Sequence, residues 1–178
     1  MRIMLYFTIF TFILSCRTEQ NVDNEIMNCL MSKIDEGSEI NSDIFLKNLK
    51  QMEKVLIDEG YLNDLDKEGY VNLIKNISSK NKNDLILLTD TLDDKIPYFK
   101  NLSLSLVTFW YKACLFEFLN DNSEANSLRK RIEHFQKLEM SGFNNTQLLV
   151  SYIDVVNFNN KKDRLFLLCL IYNHIYNQ

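Results

Sequence analysis

The stretch NDLDKEGYVNLIK, residues 63–75, places carboxylates at alternate positions: Asp64, Asp66 and Glu68 precede Gly69. Val71 follows where a calcium-binding loop sets an apolar residue. Such a loop closes on a bidentate carboxylate at its twelfth position, and counted from Asp64 that place falls to Lys75, a repelling cation. The expectation is therefore a turn between two helices, with Asp66 capping the second. His134 and His174 are the only histidines and the natural candidates for acid–base work. His134 adjoins Glu133 and the run Arg129-Lys130-Arg131, which reads as a solvated face of mixed charge. His174 lies in an apolar terminal stretch, where packing or capping is expected. No GxSxG, HExxH, P-loop or glycine-rich dinucleotide pattern occurs. The residues point to a protein that is not an enzyme and needs neither cofactor nor metal.

A second constellation suits recognition rather than catalysis. Acids crowd the segments that connect apolar runs: Asp58, Glu59, Asp64, Asp66, Glu68, then Asp84, Asp90, Asp93 and Asp94. Tyr61, Tyr70, Tyr98 and Phe99 stand among them. If packing gathers these segments, aromatics supply buried area while carboxylates steer and specify a basic protein partner. The candidate partner-binding set is Asp58, Glu59, Tyr61, Asp64, Asp66, Glu68, Asp93, Asp94, Tyr98 and Phe99.

The elements that must carry these residues are helices. Apolar residues recur at helical spacing almost throughout. Ile26, Leu30 and Ile34 form one stripe; Phe45, Leu49, Met52 and Leu56 form another, capped by Ser42 or Asp43 and stopped at Gly60. Tyr70, Leu73, Ile74 and Ile77 follow, then 85–92, with Pro97 in the connection to the C-terminal half. Residues 102–119 read as one long helix buried on most sides, and Lys112 and Glu117 argue against a membrane span there. Leu128, Ile132 and Phe135 mark the next helix, Leu149, Tyr152, Ile153 and Val156 another with Thr146 as N-cap, and 165–176 the last. With one proline and four glycines the chain has little turn chemistry for β structure. The expected fold is all-α, a compact bundle of about seven helices, with a short α-α superhelix as the alternative.

The first sixteen residues, MRIMLYFTIFTFILSC, combine a basic start at Arg2 with an apolar run from Ile3 to Leu14. A helix of that length spans about 18 Å, short of a hydrocarbon core of about 30 Å. It reads as an export signal rather than a span. The run ends in Ile13-Leu14-Ser15-Cys16, which resembles the lipobox of bacterial lipoproteins: an aliphatic residue, a tolerant position, a small residue and the cysteine. The resemblance implies diacylglyceryl transfer to the Cys16 sulfur, cleavage after Ser15, and acylation of the new amino terminus with a fatty chain such as palmitate. The expected organisation is a signal peptide over 1–15, the lipidated cysteine and tether over 16–24, and one helical domain over 25–178. That domain is about 160 residues long, a single-domain length.

Cleavage would remove Arg2 and no acid, so the mature chain is slightly more acidic than the formal net charge of −4. An acidic body with an envelope address argues against nucleic acid as partner. Cys29, Cys114 and Cys169 each lie in an apolar pattern suited to a small buried hydrophobe. An oxidising periplasm would allow one disulfide and leave one thiol, and spacing does not say which. With no CxxC or Cys/His cluster, structural zinc is not expected.

Together these readings describe a lipid-anchored envelope protein facing the periplasm and binding a protein partner. Its most concrete form is an immunity protein that neutralises a basic toxin. The alternatives are an accessory or structural lipoprotein of an envelope assembly, and a small-ligand-binding lipoprotein. In the ligand reading, Phe109, Trp110 and Phe116 would line a cavity between helices; ordinary core packing is the simpler expectation for all three.

Overall fold

The computed structural model describes residues 22–96, 104–121 and 126–177, and among them every regular element is a helix. In chain order they are α1 (22–37), α2 (Ser42–Asp58), α3 (Lys67–Ser78), α4 (Lys82–Lys95), α5 (Leu104–Asp121), α6 (Asn126–Met140), α7 (Thr146–Ile153) and α8 (Lys161–Tyr176). The described residues thus hold eight helices rather than about seven, packed as a bundle. Cys16, Tyr98 and Phe99 lie outside the described residues. α1 begins at Val22, so Asp23 and Asn24 belong to the folded body.

The helical spacing of apolar residues translates into burial. Ile26, Leu30 and Ile34 of α1, Phe45, Leu49, Met52 and Leu56 of α2, and Tyr70, Leu73, Ile74 and Ile77 of α3 are all buried. α8 is the axis of the packing. Leu165 through Tyr172 are buried without a break, because α2, α4 and α7 surround the helix. Burying such side chains contributes about 1.5–3 kcal/mol each, the main force holding the bundle together.

Asparagine caps four of these helices, α2, α4, α7 and α8. Asn41 caps α2 by accepting from the Ile44 amide at 2.9 Å, and Asn145 caps α7 by accepting from Leu148 at 3.0 Å. These replace the expected caps Ser42 or Asp43 and Thr146, each displaced by one residue or two. Asp66 caps α3 as expected, accepting from the Gly69 amide at 2.8 Å. Gly69 is required there for closeness: a Cβ would sit 2.1 Å from the Asp64 carbonyl oxygen. Gly60 takes the left-handed conformation, φ 74°, that ends α2.

A disulfide between Cys29 and Cys114 joins α1 to α5 across 85 positions of sequence, while Cys169 is a buried free thiol. Two polar clusters lock further helices together. Glu53 of α2 accepts from the Tyr70 hydroxyl at 2.7 Å and from Arg164 Nε at 3.1 Å, tying α2 to α3 and α8. Arg131 of α6 is buried, contrary to the solvated run expected over 129–131. Its Nη2 meets Asp163 at 2.9 Å, Asp23 at 3.1 Å and the Val155 carbonyl at 2.7 Å. Arg131 Nη1 reaches the other Asp163 oxygen at 3.3 Å, the Asn157 amide donates to the same Asp163 oxygen as Nη2, and the Asn157 side chain donates to the remaining oxygen of Asp23.

Candidate partner-binding surface

The acids proposed for recognition fall into three groups: one beside Lys95, one around Lys67, and Asp93, which accepts from Tyr172. At the end of α2, Glu59 forms an ion pair with Lys95 at 2.8 Å, which brings the end of α4 alongside. The hydrogen bond it donates to Glu59, with Asp58 and Asp94 close by, holds the Lys95 ammonium above its ordinary range. Asp58, Glu59 and Asp94 therefore share one exposed patch. Tyr61 follows it, half-buried, with Lys80 Nζ lying 5.7 Å from its ring centre.

The second group is Asp64, Asp66 and Glu68, exposed on the α2–α3 connection and the first turn of α3. Lys67 stands among them and pairs with Asp154 at 2.8 Å. Asp66, Lys67, Glu68 and Val71 line a hollow of about 390 Å³. A lysine in that lining suits a cation poorly, and Asp66 is already committed to the Gly69 amide. Among the described residues, no group of three or more His, Cys, Asp or Glu is placed to hold a metal ion. Tyr70, which the sequence sets among these acids, is fully buried against Glu53.

The remaining acids belong to α4. Asp84 is spent on the helix start, exchanging hydrogen bonds with Asn81. Asp93 accepts from the Tyr172 hydroxyl at 2.5 Å, and Tyr172 stacks on Tyr176, whose ring is mostly exposed. Asp90 and Asp94 face outward with Leu87, all at i, i+3, i+7 spacing and so on one ridge of the helix. Leu87 is 67% exposed and Ile86 beside it 49%. Sequence reasoning missed the exposure of these two side chains and of Tyr176, because apolar residues on α4 and α8 read as core. The signal lay in Ile86-Leu87, which places four consecutive apolar residues, 85–88, where a single stripe needs two.

Both histidines meet backbone carbonyls through Nδ1. His134 is half-buried, with Nδ1 3.0 Å from the Ser151 carbonyl. His174 is wholly buried; its Nδ1 lies 2.8 Å from the Phe143 carbonyl and its Nε2 3.2 Å from Ser78 Oγ. A carbonyl can only accept, so Nδ1 carries the proton and Nε2 accepts from Ser78, which in turn is 2.8 Å from the Thr146 hydroxyl. Serine and histidine at this distance have the arrangement of a nucleophile and its base. Here, however, the ring is sealed from solvent and clamps α3, α7 and α8 together.

Burial holds His174 below its usual pKa, against the pull of the Phe143 carbonyl. A histidine depressed in the folded state takes up its proton more readily when unfolded. Stability is then complete above the unfolded value of about 6.5 and falls as pH drops below it. His174→Asn keeps a donor for Phe143 and removes the titration. Urea midpoints at neutral and mildly acidic pH should therefore fall more for wild type than for this variant.

α5 departs from expectation. Phe109 is 62% exposed and Phe116 37%, while Trp110 is half-buried against Gly37. Neither Phe109 nor Phe116 belongs to the buried core, and one face of the helix is exposed. Comparison with family models, curated proteins and solved structures finds no match to this chain.

Proposed function

We propose that this chain is a lipid-anchored protein of the bacterial envelope, held through Cys16 and facing the periplasm, that binds a basic protein partner without catalysing a reaction. The observation that carries the binding reading is the outward ridge of α4, where exposed Leu87 lies within two turns of Asp90 and Asp94. An apolar anchor rimmed by carboxylates gains area from the first and orientation from the second. The Glu59–Lys95 patch and the Tyr172–Tyr176 pair extend that surface at the same end of α4.

Support for the address comes from two directions. The lipobox-like end of the first sixteen residues supplies the anchor. The Cys29–Cys114 bond is of the kind that persists in oxidising compartments and not in a reducing cytosol. Immunity against a delivered toxin is the most concrete form of this role, with the carboxylates covering a basic cleft on the toxin.

A photo-crosslinking residue in place of Leu87, in the native host, should capture one dominant basic protein. Asp90→Lys with Asp94→Lys should reduce that capture about tenfold or more, as like charges across an interface cost over 1.4 kcal/mol. Capture unchanged by the charge reversal, or no capture at all, would contradict this surface.

A further inference from the structure

Among the described residues the bundle leaves one face of α5 exposed. Val107, Tyr111, Cys114 and Leu115 face the core, whereas Leu106, Phe109 and Phe116 are 36%, 62% and 37% exposed. At about 100° per residue these three, with half-buried Ala113 between them, fall within one arc of roughly 80°. Charge stands only at its borders: Lys112, paired with Glu139 at 2.6 Å, and Glu117, 3.8 Å from Lys33. An aromatic arc edged by lysine–glutamate pairs matches the boundary between lipid headgroups and acyl chains.

The exposed parts of these side chains amount to an area on the order of 250 Å². A stable contact between two copies would need about 800 Å² on each. A bilayer, by contrast, is brought to this face by the chain itself. Five residues separate Cys16 from the start of α1, a reach of about 20 Å when fully extended. α1 is bonded to α5 at Cys29–Cys114, Cα atoms 5.9 Å apart, and its Gly37 meets the Trp110 ring, so the two helices run antiparallel. The helix nearest the anchor is thus covalently joined to the helix bearing the uncovered apolar face.

The acids lie elsewhere. α8 touches α5 through Phe166, stacked on Tyr111 at 4.1 Å, and touches α4 through Tyr172 on Asp93. Six residues apart on α8, these contacts point about 120° from each other. A domain resting on α5 turns Asp90 and Asp94 away from anionic lipid.

We infer that Leu106, Phe109 and Phe116 seat α5 in the interfacial layer of the membrane that holds Cys16, fixing the domain with α4 directed outward. The inference rests on the lipid-anchored reading above and adds an orientation to it.

The test uses the acylated chain in vesicles of phosphatidylethanolamine and phosphatidylglycerol whose acyl chains carry bromine, a quencher of tryptophan. Trp110 is the only tryptophan. Phe109→Trp with Trp110→Phe moves it to the centre of the arc; Leu87→Trp with Trp110→Phe moves it to α4. Brominated lipid should cut emission from position 109 about twofold, as for a ring 5–10 Å into the boundary, and leave position 87 unchanged. Wild-type Trp110, at the border of the arc, should be quenched to an intermediate extent, so the outcome does not hang on a substitution. Acylated protein with position 109 unquenched, equal quenching at both sites, or crosslinking of position 109 to a second copy would overturn this inference alone. A chain whose Cys16 carries no acyl group would overturn the anchor and the orientation together.

Discussion

Replacing Cys29 and Cys114 together by serine should lower the melting temperature by roughly 10–15 °C, equivalent to about 4–5 kcal/mol. The bond closes a loop across 85 positions of sequence. Chain entropy released in the unfolded state grows with the logarithm of that length, which places this disulfide near the upper end of the usual effect. Reducing agent added to wild type should reproduce most of the shift. Calorimetry measures it, with Cys169 as the internal check. Burial pushes the Cys169 thiol up to about 12, so it should resist alkylation until the domain unfolds. A melting point unmoved by the double substitution would mean that α1 docks on α5 without the bond. The effect ties stability to address, since the same chain made in a reducing compartment should be markedly weaker.

Arg131→Met should cost about 3–5 kcal/mol, while Lys130→Met on the exposed side of the same helix should fall within about 0.5 kcal/mol of wild type. Methionine fills similar volume but leaves Asp163 buried with no cation, and takes the cation from Asp23 as well. Burial already pushes the Asp163 carboxyl above the usual range, against the pull of Arg131. Without the guanidinium it should ionise only at still higher pH. Because an acid raised in the folded state weakens folding once it would otherwise be ionised, the variant should lose least stability at acidic pH and most at neutral pH. Denaturant titration at both values checks the sign. Replacing Arg131 and Asp163 together by leucine should recover part of the loss, because no buried charge is then left alone. Equal effects at positions 130 and 131 would contradict the buried network.

The same residues show how much of the fold was legible in the sequence. Stripes at i, i+3, i+4 are a property of one helix, so Phe45 to Leu56 and Tyr70 to Ile77 read directly as core faces. The Asp66 cap was equally local. The expected count of about seven falls one short of the eight described helices, although the Ile26, Leu30 and Ile34 stripe of α1 is visible in the sequence. Arg131 failed for the opposite reason. Its neighbours in sequence are exposed cations, and the carboxylates that bury it come from α1 and α8. α5 failed for want of contrast: a helix apolar on every side does not reveal which side its neighbours leave bare. The Cys29–Cys114 pairing needed the antiparallel approach of two helices that spacing does not encode. For the candidate surface, acids were visible as a composition, but their division between Lys95 and Lys67 arises from packing.

The proposed envelope address depends on Cys16 more than on any other residue. Mass spectrometry of the amino-terminal peptide, from protein extracted from host membranes, tests it directly. The expected peptide begins at Cys16 and carries a thioether-linked diacylglyceryl group with an amide-linked fatty chain on its amino group. A peptide that begins at Met1, or one that contains Cys16 as a free thiol, would contradict the account.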